Sequence, residues 1–213
     1  MKAIIFDFDG TLADTLPVCF YGFRKAFDHY DKRALTDEEI IGMFGPTEAD
    51  IIRKNLQHKD KEEAVELYFD VYKHKHEELV PKNNEIAALL EELKQKGFKL
   101  GMVTGKARRS LEISLQKLDM QGIFDITITG DDVELAKPDP EGLNKALQTL
   151  EVSPNQAMFI GDSNADIQAG SDAGVMTVGV HWLDHVQTKE FSVQPDEHFE
   201  SVETFKQWVQ KWY

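Results

Sequence analysis

The sequence predicts an α/β fold, a doubly wound parallel sheet that carries an inserted, all-helical second domain. The chain opens with an uninterrupted apolar run at residues 3–6, which is typical of a strand buried on both faces. Helical periodicity then continues from residue 15 to residue 80 without any strand pattern. From residue 81 onward, strand patterns alternate with amphipathic helix patterns, which indicates a parallel sheet.

The helical block reads as several separate helices. Large apolar residues recur every three or four positions over residues 16–30. Thr36 followed by Glu39 predicts a capping box, and Thr47 predicts the start of another helix. A further apolar stripe covers residues 65–72. An insertion of this length is far longer than an ordinary crossover connection. We therefore predict a core and a helical domain, with these bounds: residues 1–14 and 81–213 for the core, 15–80 for the helical domain.

Two groups of polar residues in this block invite a functional interpretation. The loop at residues 42–48 contains glycines, and its Thr47 and Glu48 could touch a polar part of a substrate. A plain turn between two helices explains the loop equally well. His74 and His76 lie two positions apart and point to different sides of a helix, so we interpret both as surface residues.

The second half of the chain alternates between strands and helices after a linker at residues 81–84. Strands are predicted at residues 99–103, 126–129, 157–160 and 175–180, and helices at 86–93, 111–118, 143–150, 165–173 and 205–212.

Composition limits the class of protein. A chain of 213 residues has room for a sizeable core, and 41% hydrophobic with 29% charged residues is ordinary for a soluble globular protein. The formal net charge of −14 argues against a nucleic-acid partner, because binding to a phosphate backbone needs basic patches. Cys19 is the only cysteine and lies among aromatic residues, which favours a packed thiol in a reducing compartment. Without a signal-peptide pattern or a membrane-length apolar run, we expect a cytoplasmic protein with no membrane partner.

Polar residues follow several of the predicted strands at the point where each strand ends. They are Asp7 and Asp9, then Thr104, Gly105 and Lys106, then Lys137, and finally Asp162 and Asp166. The carboxyl ends of parallel strands meet at one edge of the sheet, so these side chains could converge there. Clustered carboxylates repel one another unless a cation lies among them, and hard oxygen ligands suit Mg²⁺.

These residues resemble, in order, the four motifs of the haloacid dehalogenase superfamily. The matching stretches are Asp7-Phe8-Asp9-Gly10-Thr11, then Thr104, then Lys137, then Gly161-Asp162-Ser163-Asn164-Ala165-Asp166. The helical domain stands where many members carry a cap, directly after the first motif. The resemblance covers nearly the whole chain and is strongest to the phosphoglycolate phosphatase and β-phosphoglucomutase branch. It implies a Rossmann-like core with a helical cap domain.

The resemblance also implies roles for individual residues. Asp7 would be the nucleophile that forms an aspartyl-phosphate, and Asp9 the general acid and then the general base. Thr104, Gly105 and Lys137 would hold the phosphoryl oxygens, and Lys137 would also counter the charge of Asp7. Mg²⁺ would be bound by Asp7, by the backbone carbonyl of Asp9 and by Asp162.

Two residues keep alternative interpretations. The second motif reads Thr104-Gly105-Lys106, whereas many relatives have Thr-Asn after the strand. Lys106 could contact the phosphate or be a solvated residue at a helix start. Asp166 is an auxiliary metal-site residue in one interpretation and a helix-capping carboxylate in the other.

The sequence thus favours a Mg²⁺-dependent phosphatase that acts on a small phosphorylated metabolite, present as a monomer or homodimer. A pyrophosphatase with the same site is the first alternative, and a phosphosugar mutase similar to β-phosphoglucomutase is the second. A non-catalytic binding relative is less favoured, because Asp7, Asp9 and Lys137 are all present.

Overall fold

A computed structural model describes all 213 residues of the chain. Its centre is a six-stranded, entirely parallel sheet with the strand order β3-β2-β1-β4-β5-β6. The strands are Ala3–Phe6 (β1), Lys99–Val103 (β2), Ile126–Ile128 (β3), Ala157–Gly161 (β4), Met176–Val180 (β5) and Glu197–Phe199 (β6). The α/β fold predicted from the sequence is confirmed, and β6 is a strand beyond those predicted.

Nine α-helices surround or extend this sheet. They are Leu16–Asp31 (α1), Asp37–Ile41 (α2), Glu48–Asn55 (α3), Lys61–Leu79 (α4), Asn84–Gln95 (α5), Arg108–Lys117 (α6), Glu141–Leu150 (α7), Asn164–Asp172 (α8) and Val202–Val209 (α9). Short 3₁₀ turns occupy Gly130–Asp132, Pro154–Gln156 and Gln210–Trp212. None of the helices combines the length and the apolar character needed to span a membrane.

β1 lies in the middle of the sheet and is covered on both faces. Ile4 and Phe6 belong to a large hydrophobic cluster on one face, whereas Ala3 and Ile5 belong to a smaller cluster on the other. This burial explains why β1 is continuously apolar instead of alternating. Its central position also directs the residues that follow it to the middle of the sheet's carboxyl edge.

Helices α1 to α4 form the helical insertion, residues 15–80, between β1 and the rest of the sheet. Within it, α1 packs along α4, and α4 also contacts α6 of the α/β part. The predicted capping box is present, since the Thr36 hydroxyl accepts from the Glu39 N–H and the Glu39 carboxylate accepts from the Thr36 N–H. The large hydrophobic cluster runs from one sheet face into the insertion without a break.

The interpretation of His76 as a surface residue is wrong, whereas His74 is exposed as expected. His76 is fully buried where α4 meets α6, and its Nε2 lies 2.9 Å from Ser114 Oγ. The apolar stripe of α4 includes Tyr68 and Tyr72, and one further step of four residues reaches His76. Burial, reinforced by the positive charges of Lys106 and Lys117, lowers the pKa of His76 to about 4.

His76 should therefore make the stability of the protein depend on acid pH. An unfolded histidine takes up a proton near pH 6.5, but folded His76 resists protonation down to about pH 4. Stability contributed by neutral His76 should be complete above pH 6.5 and fall by about 3 kcal/mol as the pH drops to 4. Denaturant unfolding at a series of pH values measures this loss.

His76→Gln should flatten the dependence of unfolding free energy on pH between 6.5 and 4. His74→Gln is the matched control, because it removes an exposed histidine of the same helix and should keep the wild-type slope. An unchanged slope in His76→Gln would contradict the assignment.

Candidate active site

Asp7 lies directly after β1 at the carboxyl edge of the sheet. Its backbone N–H donates to the carbonyl of Ile160 in the neighbouring β4, at 2.8 Å, which continues the strand pairing. The side chain is 2% exposed, and Oδ1 has no hydrogen-bond donor. Lys137 Nζ lies 3.0 Å from that oxygen, an ion-pair distance without hydrogen-bond alignment.

Gly10 allows the chain to pass close to Asp162. It adopts a φ of +80°, and a Cβ at this position would lie 2.3 Å from Asp162 Oδ2. The next residue, Thr11, donates its hydroxyl to Asp162 Oδ1 at 3.3 Å. Glycine is therefore required both by the backbone conformation and by the space available.

Three buried carboxylates face one another at this edge. Asp7, Asp162 and Asp166 each offer an oxygen, and these oxygens lie within 4.8 Å of one another. Burial raises the pKa of Asp7 to about 6, with Lys137 opposing and Asp166 adding to the shift. Burial, together with the charges of Asp166 and Asp7, also raises the pKa of Asp162 well above its usual range.

A divalent cation fits this group of oxygens. The donors are all carboxylate oxygens, which suits Mg²⁺ better than softer metals. Asp7 Oδ1 is buried without a hydrogen-bond donor, and a cation would satisfy it. Asp7 and Asp162 of the predicted ligand set belong to this cluster, together with Asp166, which was predicted as an auxiliary residue.

Lys137 joins two of these carboxylates. Its Nζ lies 3.0 Å from Asp7 Oδ1 and 2.5 Å from Asp166 Oδ1, and it donates to the Val103 carbonyl at the end of β2. Burial opposes the charge of Lys137, but Asp166 and Asp7 outweigh it and hold the pKa of the ammonium above its usual value. Lys137 is therefore a fixed positive charge beside Asp7.

Asp166 has the features of both interpretations made from the sequence. Its Oδ2 accepts from the backbone N–H of Ser163 at 3.0 Å and from the Ser163 hydroxyl at 2.6 Å, which completes a capping box on α8. Its other oxygen faces Lys137. The carboxylate therefore caps a helix and holds the lysine at once.

The side chain of Asp9 points away from the three carboxylates. It accepts a hydrogen bond from the Thr15 hydroxyl and pairs with Lys106, whose Nζ lies 3.0 Å from Asp9 Oδ1. Its backbone carbonyl instead faces Asp162, and both accept from the Nε2 of Gln187. The side chains of Asp7 and Asp9 therefore lie in different electrostatic environments, although only Phe8 separates the two residues in sequence.

Lys106 is buried, so the interpretation of this residue as a solvated lysine at a helix start is wrong. Its side chain has no exposed area and lies between Asp9 and Glu48, with Nζ 3.3 Å from Glu48 Oε1. The ring of Tyr72 is 4.6 Å from the ammonium. Burial disfavours the charge, but the neighbouring carboxylates, that of Asp9 first, hold the pKa of Lys106 well above its usual value.

The loop at residues 42–48 meets the start of α6 through Glu48. Glu48 is buried and accepts from the Ala107 N–H at 2.7 Å and from the Ser110 hydroxyl at 2.5 Å. Thr47 does not reach the site by its hydroxyl, because that group caps α3 through Asp50. The loop is therefore more than a turn, and Glu48 rather than Thr47 is its functional candidate.

A cavity of about 250 Å³ joins these groups. Asp7, Asp9, Lys137, Thr104 and Gly105 line its floor, and residues of the helical insertion form the opposite wall. An anion placed on the floor would meet Lys137 and the buried end of β2. The cavity therefore brings together most of the residues singled out from the sequence, while Asp162 and Asp166 lie behind it.

Comparison with known proteins identifies the family. Residues 4–180 match the model of the haloacid dehalogenase-like hydrolase family. The chain belongs to this family. It is 35% identical over 182 residues to the pyrophosphatase PpaX of Bacillus mycoides, which covers 85% of this chain and 84% of that one.

Solved structures share the fold of this haloacid dehalogenase-like hydrolase. A predicted phosphoglycolate phosphatase from Haemophilus somnus has a TM-score of 0.84 at 20% identity, with 99% of this chain and 98% of that chain covered. A β-phosphoglucomutase from Clostridium difficile has a TM-score of 0.82 at 20% identity, with 99% and 96% covered. The predictions of the family and of an enzyme are confirmed.

One segment of this hydrolase site, between β5 and β6, was not predicted from the sequence. Gln187 donates its backbone N–H to Asp162 Oδ2 at 2.6 Å and its side-chain amide to the Asp9 carbonyl at 3.1 Å. Trp182 Nε1 donates to the Thr11 carbonyl at 2.7 Å. No residue pattern marks this segment, because it has no regular secondary structure and its partners Thr11, Asp9 and Asp162 are distant in sequence.

Gly10→Ala should destabilise the protein by more than its backbone conformation alone explains. Gly97→Ala is a matched control, because Gly97 has a φ of +86° and nothing lies within 4 Å of its Cβ position. The control should cost about 1 kcal/mol. Gly10→Ala should lower the free energy of unfolding, measured with denaturant, by at least twice as much, since the added methyl group meets Asp162. Equal losses in the two variants would show that the contact with Asp162 does not affect stability.

Proposed function

We propose that this enzyme is a Mg²⁺-dependent phosphatase that hydrolyses a small phosphorylated metabolite through an aspartyl-phosphate on Asp7. The observation that carries the proposal is Asp7 itself. It is a buried carboxylate at the cavity floor, with one oxygen free of hydrogen-bond donors and a fixed ammonium 3.0 Å away. That arrangement suits attack on phosphorus more than it suits a structural role.

In this proposal Asp7 attacks the phosphorus atom and the bond to the leaving oxygen breaks. Asp9 enters this step in its protonated form and gives its proton to that oxygen, which leaves as a hydroxyl group. Asp9 then takes a proton from water as the water oxygen bonds to phosphorus, the bond between phosphorus and Asp7 breaks, and phosphate leaves. Thr15 and Lys106 hold the Asp9 carboxylate toward the cavity and away from the acidic cluster. The separation of the two carboxylates supports this division of roles.

The phosphoryl group would be held by Lys137, by Thr104 and by the backbone at Gly105, all of which line the cavity with Asp7. Phosphoryl transfer spreads negative charge over the equatorial oxygens, and a positive group fixed in a buried site stabilises that charge without reorganisation. Lys137 is such a group.

Mg²⁺ would be held by the carboxylates of Asp7 and Asp162 and by the carbonyl of Asp9, with Asp166 as an auxiliary residue. When bound, the ion supplies a Lewis acid that offsets charge on the carboxylates and on the phosphoryl oxygens. The unsatisfied oxygen of Asp7 supports its place in this set.

We further propose that residues 15–80 are a cap domain over a core formed by residues 1–14 and 81–213. The insertion supplies one wall of the cavity, and its Glu48 reaches the start of α6. Such a wall excludes water and contacts the leaving group.

A pyrophosphatase is the second candidate, and the relative PpaX of Bacillus mycoides favours it. The mutase alternative requires a residue of the helical insertion that can take a proton from a sugar hydroxyl, and Glu48 is engaged with Lys106 and Ser110. A cytoplasmic monomer or homodimer without nucleic-acid or membrane partners stays a prediction.

Asp7→Asn should abolish turnover while leaving the fold intact, because the amide is nearly isosteric but is not a nucleophile. Phosphate release from a panel of small phosphate esters should fall by roughly a thousandfold or more. Asp28→Asn is the control, since it makes the same change on the exposed side of α1. Phosphate release close to the wild-type rate in Asp7→Asn would contradict the assignment of Asp7 as the nucleophile.

Removal of Mg²⁺ should stop phosphate release, and added Mg²⁺ should restore it. Mg²⁺ should also raise the unfolding midpoint of the wild type, because binding to the folded state alone stabilises it. In Asp162→Asn the rise should shrink, since one carboxylate is lost from the cluster. A wild-type midpoint insensitive to Mg²⁺, with activity that survives a chelator, would contradict the metal site.

A further inference from the structure

The wall that the helical insertion contributes to the cavity is apolar except for one charged side chain. The apolar residues of this wall are Cys19, Phe23, Ile41, Phe44 and Ile51. The charged residue is Glu48, which is negative. A leaving group seated above the cavity floor would therefore meet hydrocarbon, sulfur and one carboxylate.

Basic residues of the insertion do not line this wall. Arg53, on the same helix as Glu48, is turned to the surface and pairs with Glu62 at 2.8 Å through its Nε. The two lysines that line the cavity, Lys106 and Lys137, both come from the α/β part. They are the only basic residues of the cavity lining, so only they could neutralise a second anionic group of a substrate.

Both lysines are already paired with carboxylates. Lys137 lies between Asp7 and Asp166, where the proposed function needs it for the transferred phosphoryl group. Lys106 lies between Asp9 and Glu48 and has no exposed side-chain area. An anion could reach Lys106 only by displacing one of those side chains, which would leave the displaced carboxyl group buried without its cation.

Glu48 is held firmly in this position. Its two oxygens accept from the Ala107 N–H and the Ser110 hydroxyl at the start of α6, in addition to pairing with Lys106. A carboxylate with this many donors cannot turn away from an incoming anion without leaving buried polar groups unpaired. Glu48 therefore keeps carboxylate oxygens, and no hydrogen-bond donor, beside the leaving-group space.

We infer that the cavity selects phosphate monoesters whose leaving group carries no negative charge, and that Glu48 is the residue that rejects anionic leaving groups. The inference rests on the proposed phosphatase function and narrows its substrate class. Rejection follows from like charge and from apolar walls that cannot replace the hydration of a second anion. It places pyrophosphate and carboxylate-bearing esters among the poor substrates.

The first test uses the wild-type enzyme at fixed, saturating Mg²⁺ with two substrates of equal size. These are 2-phosphoglycolate and its amide, 2-phosphoglycolamide, which differ in one carboxylate, and pyrophosphate is measured beside them. We expect kcat/KM to be roughly tenfold or more higher for the amide, because discrimination by an unpaired buried charge is of that order.

The second test is Glu48→Gln, which keeps the size and hydrogen-bond acceptor of the side chain but removes its charge. The ratio of kcat/KM for the amide to that for 2-phosphoglycolate should fall by about tenfold, mainly through KM for the anionic ester. Glu62→Gln makes the same charge change on the exposed face of the insertion and should leave the ratio unchanged.

The outcomes separate the inference from the proposed function. Turnover of pyrophosphate or 2-phosphoglycolate at a kcat/KM equal to or above that of the amide overturns the inference while the phosphatase proposal survives. The inference is also overturned if Glu48→Gln folds, as judged by its unfolding midpoint, and keeps the wild-type ratio. Absence of phosphate release from every ester and from pyrophosphate overturns both.

Discussion

Three carboxylates buried at one edge of a sheet are the constraint on which the rest of this structure depends. Asp7, Asp162 and Asp166 repel one another in a region of low polarity, and such a cluster persists only with compensating groups. Lys137, the capping box on α8 and the amides of Gln187 supply part of that compensation. The excess of carboxylates that remains at this edge is what a bound cation would neutralise.

The fold was predictable because its signals are local. The apolar run of β1 marks a strand covered on both faces, and Thr36 with Glu39 marks a helix start, as the structure confirms. The three carboxylates and Lys137 could be expected at one edge because parallel strands place their carboxyl ends together. Topology of this kind needs no knowledge of side-chain packing.

The ion pair between Lys106 and Glu48 could not be predicted, because it depends on how the helical insertion packs against the α/β part. Lys106 and Glu48 are 58 positions apart, and nothing local distinguishes their pairing from solvated charges. His76 is buried because α4 packs on α6. The apolar periodicity of α4 alone does not show that this face is covered. Gln187 comes from a segment without regular structure and acts on residues from the opposite end of the chain. Contacts of this kind are decided by tertiary structure alone.

The contacts of Trp182 and Gln187 with the loop after β1 have a consequence for biosynthesis. A ribosome delivers β1 first and its neighbour β2 near the middle of the chain, but its other neighbour β4 and the groups of Trp182 and Gln187 that contact the first motif arrive much later. Until then, β1 lacks its partner on the β4 side and the acidic edge lacks Asp162 and Asp166. The loop after β1 therefore reaches its final set of hydrogen bonds only once residues 182–187 can fold back onto it.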